Sequence, residues 1–361
     1  MQWLINFSFN MIKLKDRISV ASSLGEQLRI WLNEIGKYDE PTDFENLLLK
    51  AEQYNPWFTQ EYLKFSFENV ITMLNEEALT EWVANYPELY FADSDFRVGV
   101  IMAGNIPLVG FHDFLSVFIT GNVFIGKLSS QDKFLLPFLA DYIIKEDNRF
   151  ASKIIFTENF LKNFDAVIAT GSNNTSRYFD YYFGKYPNII RKNRNSVAFL
   201  TGDESKEDIE NLGKDIFYYF GLGCRNVSKL LLPEDYSIPK LLDNWQSFDF
   251  VTQHTKYFNN YEYNRSLLLI NKEPHFDNGF LILREDDSLV SPVSVLNYEF
   301  YSDKDARIRR LNIYNDQIQC IVSNENVIKN AVAFGKSQSP TLMQYADNVD
   351  VINFLGEQKN N

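Results

Sequence analysis

Phe96-Arg97-Val98-Gly99-Val100-Ile101-Met102-Ala103-Gly104-Asn105-Ile106-Pro107 is the stretch on which the fold turns. Its first part is a short apolar run rich in β-branched residues, which reads as a strand buried on both faces. Gly104 to Pro107 then breaks the run, and an apolar helix is expected through Phe118. The same unit recurs downstream. Asn122-Val123-Phe124-Ile125-Gly126-Lys127 reads as a second strand running out into Leu128-Ser129-Ser130. Lys153-Ile154-Ile155-Phe156 reads as a third, and Phe164-Asp165-Ala166-Val167-Ile168-Ala169 as a fourth, which ends in Thr170-Gly171-Ser172 at a helix start. Strands alternating with helices predict a parallel, doubly wound sheet whose ligands sit beyond the carboxyl ends of the strands. Three of those ends carry Gly, Asn, Ser or Lys, groups suited to phosphates and sugars. No Gly-x-Gly-x-x-Gly occurs among them, so the ordinary dinucleotide fingerprint is missing.

Upstream, from about Ser19 to Tyr86, the apolar residues recur at helical spacing, as in Leu24, Leu28 and Trp31 and again in Phe44, Leu47 and Leu48. This predicts a helical N-terminal region, with Trp57, Phe58, Tyr62, Phe65 and Phe67 serving as core or subunit contact. A chain of 361 residues exceeds one ordinary hydrophobic core, so at least two domains are expected. The net charge of −13 argues against a nucleic-acid partner, which wants a concentrated basic surface. Two cysteines cannot build a disulfide framework and point to a reducing, cytoplasmic setting. The start, Met1-Gln2-Trp3-Leu4, lacks a basic region followed by a long apolar one, so no signal peptide is expected, and no run is long enough to span a membrane. The three histidines are scattered without metal-ligand spacing, so no metal site is expected. His112 reads as a surface or satisfied core histidine.

The chemistry gathers at Phe220-Gly221-Leu222-Gly223-Cys224-Arg225-Asn226-Val227-Ser228. A cysteine acts as a nucleophile only as thiolate, which needs an electropositive and partly open setting. Glycines on its N-terminal side allow unusual dihedrals and close approach to a substrate. Taken alone, the stretch fits a buried small hydrophobe better than a nucleophile. Cys320, in the alternating run Gln317-Ile318-Gln319-Cys320-Ile321-Val322, reads as a core thiol in a strand.

Met102-Ala103-Gly104-Asn105-Ile106-Pro107-Leu108, the strand-end Lys127, Thr170-Gly171-Ser172 and Gly221-Leu222-Gly223-Cys224 appear in the order used by the aldehyde dehydrogenase superfamily. Within it the chain resembles the LuxC-type acyl-CoA reductases, from roughly residue 55 to the end. The resemblance implies an aldehyde dehydrogenase-like α/β fold. It would comprise a helical region over 1–95, a doubly wound, parallel-sheet nicotinamide-dinucleotide domain over 96–197 and a second α/β, thiol-bearing domain over 198–332. The segment 333–361 would return towards the cleft. It implies Cys224 as the catalytic thiol and Asn105 as a side-chain donor to the oxyanion. Lys127, with Ser129 and Ser130 beside it, would contact the cofactor's ribose, and Gly171 and Ser172 its pyrophosphate and nicotinamide. Backbone amides, with Arg225 as an added cation, would favour the Cys224 thiolate.

Two departures from the superfamily pattern bear on the reaction. Hydrolytic members carry a glutamate upstream of the cysteine to activate water, and the matching stretch Ile190-Arg191-Lys192-Asn193-Arg194-Asn195-Ser196 has no carboxylate. An acyl-enzyme here should resist hydrolysis and exchange with a thiol. Ser130 stands where NAD-preferring relatives often carry a glutamate, whose charge would repel a 2′-phosphate. The expected cofactor is therefore NADPH. The family's second cofactor contact, a glutamate, falls near Asp287 and Ser288, without a settled register. The implied reaction is reduction of an acyl thioester, a fatty acyl-CoA, to the aldehyde through an acyl-cysteine. A CoA-acylating enzyme working oxidatively and a non-catalytic thioester-binding relative stand as alternatives, and homo-oligomerisation is left open.

Overall fold

The computed structural model describes residues 11–171, 173–314, 316–324 and 327–360. The chain divides into two compact units, one formed by 1–192 with 341–361 and the other by 193–340.

The first unit opens with four helices, α1 (Leu14–Glu34), α2 (Asp43–Tyr54), α3 (Gln60–Met73) and α4 (Glu76–Ala84). Their starts follow from side chains able to take up orphan backbone N–H groups. Thr42 accepts from the Glu45 amide while Glu45 accepts in return from the Thr42 amide, a reciprocal capping box. Thr59 and Asn75 cap α3 and α4 by accepting from the Tyr62 and Ala78 amides, without the return bond. Leu24, Leu28, Phe44, Phe67 and Trp82 on these helices are buried. From the predicted aromatic set Phe58, Tyr62 and Phe67 join the core, and Trp57 and Phe65 are half-buried.

The strand-and-helix pattern read from Phe96 onward is present. β1 (Arg97–Ile101) is followed by α5 (Phe111–Ile119), β2 (Val123–Lys127), α6 (Leu135–Glu146), β3 (Ile154–Thr157), β4 (Ala166–Thr170), α7 (Asn173–Phe183) and β5 (Asn188–Arg191). All five strands are parallel, in the order β3-β2-β1-β4-β5. Strand order reverses at β1, the point at which such sheets bind ligands beyond their carboxyl ends. The middle strands are almost wholly buried, which explains why they are continuous apolar runs and not alternating ones.

The second unit carries β6 (Asn195–Phe199), α8 (Lys206–Phe217), β7 (Val227–Pro233), α9 (Ile238–Asp243), α10 (Thr255–Asn271), β8 (Phe276–Asp277), β9 (Ile282–Glu285), β10 (Val295–Tyr301), α11 (Lys304–Leu311) and β11 (Ile318–Val322). The sheet order is β11-β6-β7-β10-β9-β8, parallel except for the short β8–β9 pair. Val197, Phe199, Leu231, Leu311 and Ile318 form part of its core.

The last helix, α12 (Val351–Asn360), belongs to the first unit, where Val351, Ile352 and Leu355 are buried. Trp82 donates to the Tyr345 hydroxyl at 2.7 Å, and the Lys359 ammonium donates to the carbonyls of Tyr90, Ala92 and Thr120. Burial, with Arg17 nearby, lowers that ammonium to about 8. Among the described residues no helix is long and apolar enough to cross a membrane.

Candidate active site

In the first unit the loop from Met102 to Gly110 leaves the carboxyl end of β1 and carries Asn105, which is half-buried. Contact with the neighbouring strand-end holds this loop down. Gly104 lies against Ser129, and a Cβ at Gly104 would fall 2.7 Å from the Ser129 Cβ, so only glycine fits. The Leu108 amide donates to the Asp132 carboxylate at 2.9 Å, with Leu108 itself in the left-handed region. Asp132 is half-buried as a residue, but its carboxyl group is enclosed. Desolvation pushes it up to about 6, against the lowering effect of the Leu108 and Leu135 amides.

Lys127 is the last residue of β2, and its ammonium donates to the Asn159 carbonyl at 3.3 Å and lies 5.6 Å from the centre of the exposed Phe160 ring. Ser129 accepts from the Gln131 amide and is half-buried, while Ser130 is exposed. Gly171 follows β4 and precedes α7, and a Cβ there would lie 2.8 Å from the Phe179 ring, which would have to shift to admit it. Ser172 lies outside the described residues. Asn105, Lys127, Ser129, Ser130 and Gly171 thus share one edge of the sheet, at the ends of the adjacent strands β2, β1 and β4.

Cys224 lies in the second unit, on the short connection from α8 into β7, and it is exposed. The chain bends sharply before it, with Tyr219, Phe220 and Gly221 all in the left-handed region. The Asn226 amide then donates to the Gly223 carbonyl at 3.0 Å, closing a β-turn with Cys224 at its second position. The Ser196 hydroxyl donates to the Cys224 carbonyl at 3.0 Å and also lies 3.1 Å from the Cys320 sulfur. Burial pushes the Cys320 thiol up, opposed by Arg225. Arg225 donates to the Ser337 carbonyl at 2.6 Å.

Several polar residues carry structural weight that the sequence did not announce. Arg191 and Asp113 form a buried, two-pronged ion pair between β5 and α5, one bond of which measures 2.8 Å. Asp215 on α8 is fully buried and accepts from the amides of Gly335 and Ser337, and desolvation pushes it up to about 6. Lys229 on β7 is buried and bonded to the Asp286 carbonyl and to Glu299, each at 2.9 Å. Nearby, Asp287 is exposed and the Ser288 hydroxyl donates to the Val290 carbonyl at 3.1 Å. His112 is spent on structure: its Nε2 lies 3.0 Å from the Leu342 carbonyl, and its ring packs on Trp82 and Tyr345. Among the described residues no cluster of three or more His, Cys, Asp or Glu could hold a metal ion.

The family model of the acyl-CoA reductases (LuxC) matches residues 18–238. No curated protein matched the chain in sequence. Among solved structures the chain is similar to aldehyde dehydrogenase 21 of Physcomitrella patens in complex with succinate, at 13% identity and a TM-score of 0.66, over 96% of this chain and 85% of that one. It is similar to an indole-3-acetaldehyde dehydrogenase complexed with NAD+, at 13% identity and a TM-score of 0.58, over 85% and 72%. A Mycobacterium tuberculosis aldehyde dehydrogenase complexed with NAD+ gives 13% and 0.59, over 86% and 73%. At these identities the likeness establishes the aldehyde dehydrogenase fold.

Proposed function

Because the chain belongs to the acyl-CoA reductase (LuxC) family, we propose that it reduces an acyl thioester, a fatty acyl-CoA, to the aldehyde through a covalent intermediate on Cys224. The family and the fold together support an acyl-reductase or aldehyde-dehydrogenase type of activity. The observation that carries the specific reading is the exposed thiol of Cys224 at the second position of a tight turn.

In this reading the Cys224 thiolate attacks the thioester carbonyl, a carbon–sulfur bond forms to Cys224 as the one to the carrier breaks, and the carrier leaves as its thiolate, to be protonated by water. A nicotinamide cofactor, when bound, supplies the hydride for the acyl carbon. The Cys224 amide donates to the oxygen as it becomes an oxyanion, and Asn105 keeps the donor role that the family resemblance gives it; one such donor is worth about 3 kcal/mol. Collapse of the hemithioacetal releases the aldehyde and returns the thiolate. The donor set at the sheet edge suits a phosphorylated nucleotide. It offers one cation on Lys127, hydroxyls on Ser129 and Ser130, and side-chain-free backbone at Gly171 shortly before α7. NAD+ in two of the structural neighbours supports a nicotinamide cofactor. The serine at 130 favours NADPH, since no carboxylate there opposes a 2′-phosphate. The absence of a carboxylate from 190 to 196 favours exchange of the acyl group with thiols over hydrolysis.

Incubation with a long-chain acyl-CoA followed by intact-mass analysis tests the reading. An acyl adduct mapped to Cys224, discharged by NADPH with release of aldehyde, is the expected result. An adduct that persists in Cys224→Ser, or the absence of any adduct in the unaltered protein, would overturn it.

A further inference from the structure

We infer that Asn226 is the positioning residue of the Cys224 turn, holding the thiol and its amide in the geometry that acyl transfer requires. This inference rests on the reading of Cys224 as the nucleophile. Two successive non-glycine residues, Tyr219 (φ 52°) and Phe220 (φ 57°), precede Gly221 in the left-handed region. Such a bend persists only where the surroundings over-determine it.

Packing supplies part of that constraint, since Tyr219 and Phe220 are buried and the Phe220 ring lies 4.3 Å from that of His254. Polar bonds supply the rest: the Leu222 amide donates to the Tyr219 carbonyl and the Ser196 hydroxyl to the Cys224 carbonyl, each at 3.0 Å, and one side chain joins the bend to the turn. Asn226 is 3% exposed, and its Nδ2 donates to the carbonyls of Tyr218 at 2.8 Å and Asp215 at 3.1 Å. Its Oδ1 accepts from the Gly223 amide at 2.8 Å, and its own backbone amide closes the turn onto the Gly223 carbonyl. One amide group thus ties the end of α8 to the residue before Cys224, and the residue after Arg225 ties the turn shut. Both donor and acceptor functions of the side chain are used, so a buried Asn meets this environment as neither Ala nor a carboxylate can. The turn sets where the Cys224 sulfur and N–H point, and small misplacements of reacting groups are costly.

The test uses the full chain with Asn226→Ala and Asn226→Asp, reading single-turnover acyl transfer from acyl-CoA to Cys224 and mass-mapped iodoacetamide labelling of both cysteines. Asn226→Ala should slow acyl transfer by ~100-fold, seen in kcat with KM little changed, while Cys320 stays protected. Asn226→Asp keeps the acceptor to Gly223 but turns a carboxylate oxygen towards the helix carbonyls. Protonation restores a donor, so its rate relative to the unaltered protein should recover as pH falls from about 8 to about 5.5. Acylation of both variants at the unaltered rate would overturn the inference. So would Cys320 becoming labelled as fast as Cys224, because the amide would then be holding the unit together and not the turn. Failure of both variants to fold counts against it for the same reason. If the unaltered protein shows no acylation, it is the function reading that falls, while the alkylation arm still reads the turn.

Discussion

Replacing Asp215 by Asn should reshape the pH dependence of stability, because a desolvated carboxylate contributes with the opposite sign to a salt-bridged one. Asp215 is 0% exposed, and desolvation raises it from an ordinary 3.8 to about 6, with the amides of Gly335 and Ser337 and the charge of Lys214 pulling the other way. An acid with a raised folded value holds its proton more tightly when folded. The folded state therefore binds more protons between pH 3.8 and about 6, and stability falls as pH rises through that window. The gap corresponds to about 3 kcal/mol once the carboxylate is fully ionised. Asn carries no charge to desolvate, but it leaves one of the two amides without an acceptor, a loss of about 1–3 kcal/mol at any pH. The variant should therefore be the less stable protein near pH 4 and should draw level with, or pass, the unaltered protein near pH 7. Urea unfolding followed by tryptophan fluorescence at a series of pH values gives the difference curve directly, and groups common to both proteins cancel in it. A flat difference curve, or one in which the variant loses ground as pH rises, would refute the reasoning.

Asn105→Ala removes one proposed donor to the oxyanion and should lower kcat by about 100-fold or more with the acyl-CoA KM nearly unchanged, read by steady-state kinetics. Ser130→Glu should move cofactor preference from NADPH towards NADH, and unchanged ratios of kcat/KM would remove Ser130 from cofactor selection. Asp113→Ala strands the buried guanidinium of Arg191, so denaturant unfolding should show a loss of about 3–5 kcal/mol, and a loss under 1 kcal/mol would mean the pair is solvated. Mass-mapped alkylation should label Cys224 well before Cys320, because Cys224 is exposed while burial raises the Cys320 thiol. Equal slow labelling of both would count against Cys224 as a nucleophile.

The α/β class was legible because its signals are local. Short apolar runs such as 97–103 and 166–169, each followed by Gly, Asn or Ser, mark strands covered on both faces and the turns that end them. The helical spacing of Leu24, Leu28, Phe44 and Leu48 marked the N-terminal helices in the same way. The strand-end positions of Asn105, Lys127 and Gly171 could be read from the same runs, because a motif quoted beside a strand already carries its place on the sheet. Their catalytic and binding roles rest on resemblance and on the experiments above.

Other features belong to the tertiary structure alone. Nothing around Asp113 announces Arg191, which lies 78 residues away, and nothing around Trp82 announces Tyr345, 263 residues away. The left-handed bend at Tyr219 and Phe220 contradicts what those side chains prefer locally, and Asn226 looks like an ordinary turn residue until its amide is seen between helix carbonyls and Gly223. Local sequence determined strands, helices and their ends because backbone preference and apolar periodicity act over a few residues. Which buried polar groups meet, and which strained turn they hold, was decided by folding, because unpaired groups taken out of water are costly and their partners come from anywhere in the chain.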